Sequence, residues 1–93
     1  MHSNIRSQIS DIAKFITKLN NKNEVISFIM EILTNAEIET LSKRWRILNM
    51  LKEGRTQRDI AQELKVSLCK VTRGAKILKN KSSIIAKYLI KEN

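Results

Sequence analysis

The sequence contains no proline and only two glycines, Gly54 and Gly74, in 93 residues. A β-rich architecture needs chain-breaking residues about every eight to twelve positions. This chain has almost none, which restricts it to helices joined by short polar connections. Hydrophobic residues make up 42% of it, enough for a packed core, and its length suits one small domain. The expectation is an all-α fold in a single domain over residues 1–93.

The apolar residues fall at helical spacing. Ile5, Ile9, Ile12, Ile16 and Leu19 are separated by four, three, four and three positions, one stripe on a helix from about 5 to 19. Asn20–Asn23 reads as a polar turn. Val25, Ile26, Ile29, Ile32 and Leu33 form a wide apolar face on a second helix, broadened by Phe28 and Met30. So much apolar surface is hard to bury within so short a chain. A core shared between two subunits is favoured over an ordinary one, making residues 1–33 dimerisation helices.

Capping patterns mark the remaining helices. Thr34-Asn-Ala-Glu37 is a capping box that opens a short helix carrying Ile38 and Leu41. Another helix is expected from about residue 43, with Ile47, Leu48 and Leu51 inward and Gly54 as its stop. Residues 34–54 are thus core helices. Thr56-Gln-Arg-Asp59 opens a helix over about 57–64, Ser67 one over about 68–79, and Ser82 or Ser83 a C-terminal dimerisation helix over 82–93. The total is six to seven helices.

The net charge is +9, unevenly distributed. Residues 1–54 hold eight basic and six acidic residues, and residues 55–93 hold ten and three. A nucleic-acid surface in the second half is favoured over a merely solvated lysine face. Cys69 is the only cysteine and His2 the only histidine, too few for a disulfide or a structural zinc site. No segment reaches the length of a membrane span, and the N-terminus lacks a signal-peptide apolar region. A reducing cytoplasm is expected. With no Gly-rich phosphate loop and no Ser/His/Asp set, an enzyme is not.

Residues 57–79 have the organisation of a helix-turn-helix. Ala61 is small where the two helices should cross, Val66 is apolar in the turn, and Val71 should pack the second helix on the first. Leu68, Val71, Ala75 and Leu78 share an inward arc of about 80°. Lys65 occupies a turn position that calls for a left-handed backbone. The alternative is an ordinary helical hairpin. Segment 68–81 carries Lys70, Arg73, Lys76, Lys79 and Lys81 without an acid, which favours DNA. Leu68, Cys69 and Thr72 suit base edges, Thr72 through a hydrogen bond and the others through thymine methyls. Arg58, Lys76 and Lys79 suit phosphates. Gln57 and Ser67, at the N-terminal ends of the two helices, complete the DNA-facing set. Cys69 reads otherwise as a small apolar filler, which is favoured over a redox sensor.

From Ile32 to Lys79 the chain resembles the bacterial Trp repressor family. The matching residues are Leu33-Thr34, Lys43-Arg44-Trp45-Arg46-Ile47, Gly54, Gln57-Arg58, Glu63-Leu64, Val71-Thr72-Arg73-Gly74 and Leu78-Lys79. The Thr-Arg-Gly run is the most specific of these. The resemblance implies an intertwined homodimer that represses transcription from a palindromic operator, with L-tryptophan as corepressor. It implies that Arg44 and Arg73 sandwich the indole ring and that Arg73, helped by Thr34, pairs with the ligand carboxylate. Backbone carbonyls near Glu31 and Leu33 would receive the ammonium group, and Gly74 would let the ring approach. Lys70 stands where the family often has a small polar residue beside the pocket, and Ile77 where a serine can meet the amino group. Read from the residues alone, Arg44 and Arg73 are phosphate or surface arginines. Two alternatives stay open: a ligand-independent DNA-binding regulator of the same fold, and a helical protein–protein interaction module. The role of Trp45 is open between core and pocket mouth.

Overall fold

Six helices account for most of the described residues, which contain no strand. The computed structural model describes residues 2–90. Met1 and residues 91–93, the last part of the expected C-terminal helix, lie outside them. The chain divides into two compact units, residues 1–38 and 39–93.

The first unit contains α1 (His2–Lys18), α2 (Lys22–Ile32) and the opening turn of α3 (Asn35–Lys52). Its connections are set by local hydrogen bonds. Asn21 caps α2 by accepting from the Glu24 N–H at 3.0 Å, and Glu24 Oε1 accepts from the Asn20 N–H at 2.8 Å. The expected capping box at α3 forms in full: the Glu37 N–H donates to Thr34 Oγ1, and the Thr34 N–H donates to Glu37 Oε1. Phe15 and Phe28 stack with ring centroids 5.3 Å apart, tilted by 39°. The apolar stripe of α1 is exposed throughout, Ile5 at 59% and Ile9 at 58%, and no residue of α2 is buried.

The second unit contains the rest of α3, α4 (Gln57–Leu64), α5 (Leu68–Lys79) and α6 (Ile84–Ile90). Its core is Ile47, Met50, Ile60, Leu64 and Val71, with Leu51, Ala61 and Val66 packed against it. The helix-turn-helix expectation is met at each packing position: Val71 and Ile60 are fully buried, and Ala61 and Val66 close the core between the helices.

One expectation fails. The helices anticipated on either side of residue 43 are a single α3 of 18 residues. No Gly or Pro interrupts residues 35–52, and Glu39 and Lys43 pair across the anticipated break at 3.4 Å. The misreading has a physical origin. Ile38, Leu41 and Trp45 centre on one face of this helix, whereas Ile47, Leu48, Met50 and Leu51 centre on another, about a third of a turn away, with Leu48 bordering Leu41. The second face carries the buried Ile47, Leu48 and Met50, whereas Trp45 is 51% exposed and lies outside the core of this unit.

Candidate nucleic-acid interface and ligand cleft

The α3–α4 corner is built from backbone geometry. Gly54 has φ 91°; its N–H donates to Leu51 O, and the Arg55 N–H to Met50 O, closing α3 in a Schellman motif. Thr56 then caps α4, accepting from the Asp59 N–H at 3.1 Å. Arg55 reaches across to α4, where its guanidinium donates to Glu63 Oε1 at 2.6 Å, and Arg46 lies 3.8 Å from the other carboxylate oxygen. The Arg55 hydrogen bond, and then its charge, hold the Glu63 carboxyl below its ordinary value; the same bond raises Arg55.

The turn between α4 and α5 contains the only positive-φ residue other than glycine among the described residues. Lys65 sits at φ 56°, ψ 48°, and the Val66 N–H donates back to Ala61 O at 3.1 Å. The left-handed turn expected at this position is therefore made by a lysine. Ser67 caps α5, accepting from the Lys70 N–H.

The turn aims α5 so that its circumference divides into three strips. Val71, Gly74 and Leu78 face the core. Leu68, Cys69, Thr72, Lys76 and Lys79 lie on the opposite, outward strip, with only Thr72 half-buried among them. Two expectations are corrected here. Leu68 is 47% exposed and does not belong to the inward arc, because α5 meets α4 one turn later, at Val71. Cys69 is exposed rather than a packed filler, since it points about 160° away from Val71 around the helix. Gln57 and Arg58, in the first turn of α4, and the cap Ser67 belong to the same unit. The Thr72 hydroxyl donates to Gln57 Oε1 at 2.8 Å, tying the first turn of α4 to the middle of α5.

The third strip of α5, Lys70, Arg73, Gly74 and Ile77, faces a cleft of about 200 Å³. Its other wall is α3, through Thr40, Lys43, Arg44 and Ile47. Each helix thus supplies residues spaced i, i+3, i+4 and i+7. Glu39, Leu48, Lys65 and Val66 complete the lining. Arg44, Lys70, Arg73, Gly74 and Ile77, all expected at a ligand site from the resemblance, are brought together by this cleft. Its lining comes entirely from the second unit. Glu31, Leu33 and Thr34 belong to the first unit, where Glu31 is exposed, Leu33 ends α2 and Thr34 serves the capping box.

Gly74 has a structural reason besides any ligand. A Cβ there would stand 2.9 Å from Ile47 Cγ2 and 3.4 Å from Leu51 Cδ1, so glycine is what allows α5 to cross α3 this closely. Sequence reasoning missed the α3 wall apart from Arg44. Its i, i+3, i+4, i+7 spacing was available, but Thr, Lys, Arg and Ile on one strip make no recognisable amphipathic pattern. Trp45 does not line the cleft. Among the described residues no cluster could hold a metal ion, and no helix is long and apolar enough to cross a membrane.

Comparison with known proteins bears on this arrangement. The profile of the family described as Trp repressor protein matches residues 7–93. The Trp operon repressor homolog of Xylella fastidiosa (strain M23) is 37% identical over 65 residues, which cover 69% of this chain and 71% of that protein. The Trp operon repressor homolog of Chlamydia caviae is 34% identical over 70 residues, 74% of this chain and 69% of that protein. No solved structure gives a significant match.

Proposed function

Because the chain belongs to the Trp repressor family, we propose that it binds a palindromic operator as a homodimer in the cytoplasm, with L-tryptophan as corepressor. As a family member it is a repressor-type transcription regulator and not an enzyme. The observation that carries the finer reading is the cleft behind α5, which has Arg44 on one wall and Arg73 on the other.

The chemistry is direct. Guanidinium planes stack on aromatic rings, and arginine pairs with carboxylates through two parallel hydrogen bonds. Arg73 lies at the edge of the cleft strip of α5 that borders the outward strip. A ligand held there fixes the tilt of the helix that enters the major groove. It favours DNA binding only to the extent that it binds the DNA-competent tilt more tightly. On the outward strip, Leu68, Cys69 and Thr72 face base edges, while Arg58, Lys76 and Lys79 face phosphates, joined by Gln57 and Ser67. Helix-turn-helix dimers, of which the Trp repressor is itself a type example, place their recognition helices about 34 Å apart. The exposed apolar faces of α1, α2 and α6 suit a core shared by two subunits.

A second reading, the same DNA-binding regulator without an amino-acid corepressor, is favoured by Lys70 and Ile77 on the cleft wall, which offer no neutral acceptor to an ammonium group.

Fluorescence anisotropy decides between them, using a duplex selected from random sequence by the protein, with and without L-tryptophan. Tryptophan should tighten binding, and Arg73→Ala should abolish that response. Equal affinity with and without tryptophan in the wild type would overturn the corepressor reading and leave the second. Binding that is absent even at low salt would leave only a protein–protein module.

A further inference from the structure

The Thr72–Gln57 hydrogen bond joins residues 15 apart in sequence, and it links two side chains on the proposed DNA face. Its direction has a consequence. A threonine hydroxyl has one proton and two lone pairs. Here the proton is donated to Gln57 Oε1 at 2.8 Å. What Thr72 keeps for a base edge is acceptor capacity and a methyl group. Gln57 keeps its NH2 group, two donors suited to a phosphate oxygen.

In the major groove the bases divide by this criterion. Adenine N6 and cytosine N4 are donors, whereas guanine O6 and thymine O4 are acceptors. A free threonine hydroxyl rotates to serve either kind. Held by Gln57, it serves the first only, unless the bond within the protein is given up.

We infer that Gln57 sets the hydrogen-bonding sense of Thr72, and that Thr72 in consequence selects an amino-bearing base, adenine or cytosine, over a keto-bearing one at one position of each half-site. Gln57 is here a positioning residue, acting on base choice through Thr72. The inference rests on the DNA-binding reading above and adds a specificity rule to it.

The test is selection of bound duplexes from a randomised pool at saturating L-tryptophan, followed by affinities for the four single-base variants of the selected site. The wild type, Thr72→Val, Gln57→Leu and Gln57→Glu proteins are compared, with thermal melts confirming that each is folded. The wild type should prefer adenine or cytosine by about five-fold at one half-site position, the low end of what a bidentate base-edge pair gives. Thr72→Val identifies that position by flattening it. Gln57→Leu should flatten the same position to within about two-fold, and the double variant should do no more. Gln57→Glu keeps the acceptor, so it should keep the base preference while weakening binding to every sequence through charge. Three results would overturn the inference: Gln57→Leu keeping the wild-type preference, Gln57→Glu losing it, or a keto base preferred at the position that Thr72→Val flattens. If the wild type binds no duplex even at low salt, the DNA-binding reading falls first and this inference with it.

Discussion

Two residues of the second unit carry conformational costs that the sequence around them does not relieve. Lys65 holds a left-handed backbone, which costs a side-chain-bearing residue about 1 kcal/mol relative to glycine. Lys65→Gly should raise stability toward urea by about that amount, less the entropy gained by the unfolded chain. A loss of stability would mean that the lysine side chain contributes more than its backbone costs. Gly74 presents the opposite case. Gly74→Ala improves helix propensity by about 1 kcal/mol but places a methyl against Ile47 Cγ2, an overpacking cost of about 1–3 kcal/mol. A net destabilisation of about 1 kcal/mol is expected. Adding Ile47→Leu, which removes the clashing γ-methyl, should recover part of it. An additive double variant would show that the close approach is not the cause.

At the scale of elements, caps and ion pairs decide where helices stop and how they join. Thr34, Thr56 and Ser67 were legible as caps because each acts on an N–H three residues away. The Arg55–Glu63–Arg46 cluster was not legible, because it links the end of α3 to α4 across distances that depend on the corner at Gly54. The cluster also sets a pH dependence. The folded-state pKa of Glu63 is lowered, so its stabilising contribution is present above the unfolded value and is lost as pH falls through the folded one. The melting-temperature gap between wild type and Glu63→Gln should therefore be largest near neutrality and close in acid. A gap that is constant from pH 7 to pH 3 would remove the carboxylate from the account. Arg55 is raised and stays charged across this range, so the acid transition belongs to Glu63.

At the scale of the whole molecule, the imbalance between apolar composition and burial is the dominant fact. The chain is 42% hydrophobic, yet the buried apolar residues among those described all lie in α3, α4 and α5. Ile5, Ile9, Ile26, Met30, Ile84 and Tyr88 are each at least 48% exposed. Apolar surface on this scale marks an interaction site. A second copy of the chain is the proposed occupant. Ile9→Glu, which places a charge in the middle of the α1 stripe, should shift analytical ultracentrifugation from dimer toward monomer and lower the melting temperature. A wild type that sediments as a monomer at micromolar concentration would remove the shared core from the proposal.

The sequence by itself determined the helical class, the caps, the helix-turn-helix with its turn at Lys65, and the basic second half. Each of these depends on hydrogen bonds, spacings or charges counted over a few neighbouring residues. Only the tertiary structure decided that α3 is one helix with two apolar faces, that Leu68 and Cys69 are exposed, and that Thr72 spends its proton on Gln57. It also decided that one strip each of α3 and α5 encloses a cleft. These depend on how close two helices come at a crossing, as Gly74 and Ile47 show. That distance is set by packing between residues 15 to 27 positions apart, which no local pattern records.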